Sequence, residues 1–217
     1  MRLWAFVSLF CAVATMPVSA GDLDAKFLIK REDKVIGFHE VDVTETDEGV
    51  VVDTEIEMRV KLGFIPLFKY DHEAREVWRD GQVVSIESKT NYNGDKSSVL
   101  ARREGDTLLI DGTEYKGPAP QNAVPSSYWA KSLVEADALI NTQTGEIIEV
   151  DVVRVGETPA PHNREAEHFR VKGTVDLDIW YDGPQWVGSQ FVIDGEELIY
   201  ELVANEREYA ALDEYLN

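Results

Sequence analysis

The stretch Val50-Val51-Val52-Asp53-Thr54-Glu55-Ile56-Glu57-Met58-Arg59-Val60-Lys61-Leu62 decides the fold. Val50, Val52, Ile56, Met58, Val60 and Leu62 share one parity with Thr54, while Asp53, Glu55, Glu57, Arg59 and Lys61 take the other. Strict alternation marks a β-strand with one buried and one wet face. At ~3.4 Å per residue the segment would run roughly 44 Å, well beyond an ordinary strand. A strand that long must twist and bend, so a strongly curved sheet is expected.

The flanking sequence repeats the pattern. Phe68, Tyr70, His72, Ala74 and Trp78 alternate with Lys69, Asp71, Glu73, Arg75 and Val77. After an Asp80-Gly81 turn signal, Val84, Ile86, Ser88, Thr90 and Tyr92 alternate with Ser85, Glu87, Lys89 and Asn91. Asn93-Gly94 is the strongest hairpin signal in the chain. Further strands are expected at residues 147–155, 169–173, 175–181, 186–193 and 198–203, the last ones separated by Asp182-Gly183-Pro184 and Asp194-Gly195. Successive strands joined by tight turns make an antiparallel meander. The expected fold is therefore mainly β: one strongly curved antiparallel meander sheet, an open or half barrel. One short helix is expected near residues 126–136 with a Ser N-cap, and a terminal helix or frayed end at 206–216. Pro-containing loops at 117–125 and 156–164 are long enough to arch over an edge or a mouth.

Composition sets the class. The chain has 217 residues with 44% hydrophobic content, enough for a core and unlike a disordered or collagenous chain. Its 21 Lys+Arg against 41 Asp+Glu give a formal net charge of −20. Such a chain is repelled by phosphate backbones, so no nucleic-acid partner is expected, and by anionic membrane surfaces. Residues 1–20 form a signal-peptide pattern: Met1-Arg2, an apolar run from Leu3 to Thr15, then Val18-Ser19-Ala20 before Gly21. That run is too short for an ordinary membrane span, and no other long apolar stretch exists, so no stable membrane insertion is expected after cleavage. Cleavage also removes Cys11, the single cysteine, and bulky Phe10 before it spoils a lipobox. The expected product is an exported, thiol-free single domain of residues 21–217 in the periplasm of a Gram-negative bacterium, or secreted.

No catalytic motif stands out. There is no His-Glu-x-x-His, no phosphate loop and no Gly-x-Ser-x-Gly elbow. His39, His72, His162 and His168 are scattered, and Asp176, Asp178 and Asp182 lack the frame of a calcium loop, so neither a metal nor a cofactor is expected. Mixed chemistry on one strand parity is more informative. Phe68, Tyr70, His72, Trp78, Ile86, Thr90 and Tyr92, with Trp129 from the helical region, would line an apolar cavity carrying a few polar groups if they face inward. The same residues equally describe an ordinary filled core, and Trp180 and Trp186 share that ambiguity.

Five motifs in order add a resemblance: Gly37-Phe38-His39-Glu40-Val41, Trp78-Arg79-Asp80-Gly81-Gln82, Thr90-Asn91-Tyr92-Asn93-Gly94, Pro125-Ser126-Ser127-Tyr128-Trp129 and Trp180-Tyr181-Asp182. Together they resemble a family of exported proteobacterial proteins of unknown function, and more distantly the open-barrel fold of periplasmic lipoprotein carriers. The resemblance implies a single curved antiparallel sheet. The wider fold group includes carriers of hydrophobic ligands and a cofactor-free enzyme of pigment biosynthesis, and it supplies no catalytic residues for this chain. Three functions follow as expectations. One is a module holding an apolar small molecule or lipid. Another is a cofactor-free enzyme with His72 as acid/base, since an ordinary His titrates near neutrality. The last is a structural or assembly protein with an envelope protein partner.

Overall fold

The computed structural model describes residues 23–62, 65–161, 163–174, 176–193 and 195–203. The leader pattern, the C-terminal helical stretch and His162 lie outside these residues. Sixteen strands follow in chain order among the described residues. The first half contributes β1 (Ala25–Arg31), β2 (Lys34–Thr46), β3 (Gly49–Leu62), β4 (Ile65–Arg79), β5 (Gln82–Tyr92), β6 (Asp95–Glu104), β7 (Thr107–Gly112) and β8 (Lys116–Pro118). A short-stranded segment follows with β9 (Val124–Pro125), β10 (Ala138–Ile140) and β11 (Ile147–Glu149). The chain then resumes long strands in β12 (Asp151–Pro159), β13 (Glu165–Lys172), β14 (Leu177–Asp182), β15 (Gln185–Ile193) and β16 (Glu196–Leu202).

Thirteen of these strands form one sheet in the order β12-β13-β14-β15-β16-β1-β2-β3-β4-β5-β6-β7-β8. Every pairing in it is antiparallel, and all but one joins strands adjacent in sequence. The exception is the seam between β1 and β16, where Phe27 faces Leu202 and Ile29 faces Tyr200. The sheet is an open meander with edges at β12 and β8, as the alternation pattern implied. β3 and β4 run 14 and 15 residues, and register shifts break five ladders, at Ile29/Lys30, Val60/Lys61, Val77/Trp78, Arg154/Gly156 and Trp180/Tyr181. Each extra residue bends its strand and tightens the local twist, which is how so long a sheet curls around a core.

Residues 119–150 cross the inner face of that curl. There β9, β10 and β11 make a three-stranded sheet of their own, with β9 parallel to β10. Leu133, Leu139 and Ile140 from this insert bury against Phe27, Val41, Val52 and Ile86 of the large sheet in one hydrophobic cluster. The crossing is tight at Gly112 and Gly145: a Cβ on Gly112 would sit 2.4 Å from the Thr144 carbonyl oxygen, and Gly145 has φ +85°. The short helix is a 3-10 turn over Lys131–Glu135, preceded by Ala130 with no side-chain cap. Ser126 does not cap it because it is engaged in the small sheet. Its N–H donates to the Ile140 carbonyl at 3.0 Å, and its Oγ accepts from the Thr142 N–H at 3.3 Å. The two Pro-containing stretches are also less loop-like than expected, since Gly117 and Pro118 belong to β8 and residues 156–159 to β12.

Candidate functional site: an apolar cavity with a polar floor

Strand register sets a row of side chains across the inner face. Phe27 pairs with His39, His39 with Ile56, Ile56 with His72, and His72 with Thr90. One step further along the strands, Val41, Thr54, Ala74 and Ser88 form a parallel row. Because side chains alternate with period two, both rows point inward together. Between them and the insert lies a cavity of about 570 Å³. That size falls in the range of small-molecule sites and would hold ~20 waters at their liquid volume.

The cavity is graded along its length. Leu67, Tyr92 and Ile193 line one end and are 58%, 46% and 42% exposed, so this end is the mouth. Phe68 and Tyr70 lie just inside, with the Tyr92 ring edge-on to both at 5.4 and 6.3 Å. The middle is walled by Ile56, Met58, Leu139, Ile148 and Leu198. His39, Thr54, His72 and Ser127 line the deep end, each at most 6% exposed. The charged lining residues are Arg31, Glu146 and Glu196, and Arg31 pairs with Glu196 at 3.9 Å, beside the β15–β16 turn at the mouth.

The deep histidines are held neutral. Burial lowers the His72 pKa to about 4, and burial together with His72 lowers that of His39 to about 3. His72 Nδ1 shares a 2.8 Å hydrogen bond with Thr90 Oγ1, and its Nε2 has only a long 3.4 Å contact with Thr142 Oγ1. His39 sits edge-on to Trp186 and Tyr200, with centroids 5.0 and 5.7 Å away, and neither of its ring nitrogens has a partner. Thr54 Oγ1 is likewise buried and unpaired. The expectation that His72 titrates near neutrality fails because its ring is desolvated and no carboxylate stabilises the cation.

The structure divides the sequence-derived set. Phe68, Tyr70, His72 and Tyr92 line the cavity, and Thr90 supports it from behind through His72. Ile86 is fully buried in packed core. Trp78 and Trp129 meet edge to face at 5.3 Å beyond the floor and close that end. Between them sits Glu76, fully buried, whose Oε2 accepts from Trp78 Nε1 at 2.7 Å and from Trp129 Nε1 at 3.3 Å. Burial raises the Glu76 pKa above the usual carboxylate range, against the pull of the Trp78 and Trp129 donors. Sequence reasoning missed Glu76, although its even position between Ala74 and Trp78 carries the signal. It missed His39 and Thr54 as site residues although their parity matches Val41 and Ile56, and no local signal marks Ser127. The scattered charges resolve elsewhere: His168 Nε2 meets Asp178 at 2.6 Å, Arg170 meets the same carboxylate, and Arg164 pairs with Asp182.

An open, barrel-like antiparallel sheet wrapped around an apolar cavity defines the class of protein. A similar fold is seen in a solved structure, a beta-barrel-like protein of domain of unknown function DUF1849 from Brucella abortus. It superposes with a TM-score of 0.58 over 83% of this chain and 94% of that one. At 9% identity the likeness concerns the fold alone. The chain itself belongs to the family described as a domain of unknown function (DUF6134), which matches residues 27–203 and so takes in nearly the whole sheet. No curated protein matches the sequence. The expected membership in a family of unknown function is borne out, and the barrel-like neighbour is consistent with the expected distant resemblance to an open-barrel fold.

Proposed function

We propose that the protein is a binding module that holds an apolar or lipid-like small molecule within its curved sheet. The observation that carries this reading is the cavity of about 570 Å³, apolar along its walls and open at a mouth lined by Leu67, Tyr92 and Ile193. Protein interiors are normally packed without voids larger than a few waters, so a space this large beside a filled core argues for an occupant. The signal-peptide pattern of residues 1–20 supports work outside the cytoplasm, with the periplasm as the proposed compartment. Binding is favoured over catalysis because His72, with a pKa of about 4, is a weak base at neutral pH.

The test is native mass spectrometry of full-length protein purified from an exporting proteobacterial host, alongside fluorescence titration with N-phenyl-1-naphthylamine. The expected result is a co-purifying apolar molecule and saturable probe binding. Both should be lost on Tyr92→Asp at the mouth and retained on Val153→Asp, an equally exposed position on β12 outside the cavity. Protein that carries no small molecule and leaves the fluorophore dark would end the proposal.

A further inference from the structure

The deep end of the cavity holds more hydrogen-bonding capacity than the protein uses. His39 Nδ1, His39 Nε2 and Thr54 Oγ1 are all buried and all lack a partner. Each unpaired buried group is destabilising, and native proteins leave few of them. Of six such atoms among the described residues, four belong to side chains that line this cavity, Ser127 Oγ being the fourth. Thr54 is the diagonal neighbour of His39 across the β2–β3 ladder, because His39 pairs with Ile56 and Val41 pairs with Thr54. Diagonal neighbours lie ~7–8 Å apart, within reach of a single bound group. His72 Nε2, two strands from His39 in the same row, adds a third under-used nitrogen.

The chemistry of these atoms narrows what they recognise. A neutral imidazole carries one N–H donor and one acceptor nitrogen, and a threonine hydroxyl both donates and accepts. Neither supplies charge. The charged lining groups, Arg31, Glu146 and Glu196, belong to other parts of the cavity wall. An anion would lose its hydration with no lysine or arginine side chain lining the floor to replace it. A cation would lose its hydration with no carboxylate lining the floor to replace it.

We propose that the cavity floor recognises an uncharged group able both to donate and to accept hydrogen bonds, a hydroxyl or a primary amide, at the inner end of an apolar ligand. In this arrangement His39 and Thr54 provide the direct contacts and discriminate against carboxylate and ammonium ends. The inference rests on the binding function proposed above and adds the class of ligand. It also accounts for an imidazole buried among Phe27, Trp186 and Tyr200, where a phenyl ring would pack without a desolvation cost.

Competition at neutral pH tests it. Full-length protein loaded with N-phenyl-1-naphthylamine is titrated with 1-tetradecanol, tetradecanamide, tetradecanoate and tetradecylamine. The alcohol and the amide should displace the fluorophore at least about tenfold more effectively than the two charged chains, since burying an unpaired charge costs more than one hydrogen bond returns. His39→Phe and Thr54→Val should each cut that preference, read as the ratio between uncharged and charged competitors on the same variant, to about twofold or less. Thr54→Val is nearly isosteric and keeps the question open to test if His39→Phe fails to fold. Equal displacement by all four chains, or a preference for tetradecanoate, would overturn this inference while leaving the binding function standing. Failure of the fluorophore to bind the unmodified protein would instead remove the binding function itself.

Discussion

Glu76 is the residue whose chemistry is most constrained. Its carboxylate is fully buried, yet it satisfies two indole N–H groups that would otherwise be unpaired. Two substitutions separate these effects. Glu76→Gln keeps an acceptor for Trp78 and Trp129 and removes the ionisable proton. Glu76→Ala removes the acceptor and leaves both donors unpaired. The folded-state pKa of Glu76 is raised, so its contribution to stability is full below the unfolded value of 4.5 and is lost as pH rises through the folded value. Glu76→Gln should therefore stabilise the protein at neutral pH, by about 1 kcal/mol or more, with the advantage vanishing toward acid pH. Glu76→Ala should cost about 2–4 kcal/mol at acid pH, from two stranded donors and a small cavity, and less at neutral pH, where it also removes the buried titrating group. Urea denaturation at neutral and acid pH measures both, and a Gln variant weaker than the native protein at neutral pH would contradict the argument.

At the scale of strands, the outer face of the sheet carries a different tension. Register places Glu40 opposite Glu55 and Glu55 opposite Glu73, three carboxylates in a line across β2, β3 and β4. Burial and these neighbours raise the Glu55 pKa. Like charges directly opposite one another weaken a ladder, and opposite charges contribute about 0.2–1 kcal/mol per pair. Glu55→Lys converts two repulsive pairs into two attractive ones and should raise stability by about 1 kcal/mol, measured as a higher urea midpoint with unchanged slope. An unchanged or lower midpoint would mean that the acidic line does not strain the sheet. Alternation made these strands legible from sequence, because side chains on a half-buried strand must switch between oil and water at every step. The 126–136 region was legible only as a short helix. Ser126 had the look of an N-cap, but its N–H donates to Ile140 of β10 and its hydroxyl accepts from Thr142 just beyond that strand, a pairing across 16 residues of sequence.

The whole molecule is held by its longest-range contacts. β1 and β16 close the seam in the middle of the large sheet, where Lys30 and Glu201 pair across 171 residues of sequence. Such contacts pay their loop-closure entropy before any neighbour helps, which makes folding slow for a protein of this topology. The seam also builds the cavity, since Leu198 and Tyr200 of β16 form part of its wall. Deleting residues 196–217 should therefore abolish cooperative unfolding rather than lower the midpoint slightly. Near-UV circular dichroism during thermal unfolding measures this, and a truncated chain that still melted in one sharp transition would show that the seam is dispensable. The sequence by itself determined strands such as β3, β4 and β5, their parity and the curvature, because each is written in local alternation, strand length and turn chemistry, while the family rested on the resemblance of five ordered motifs. Only the tertiary structure decided that the inner face is part cavity and part filled core, that His39 and Thr54 meet at its floor, and that Trp78, Glu76 and Trp129 seal its end. Those outcomes depend on register between distant strands and on where one insert crosses the sheet, and no local pattern encodes either.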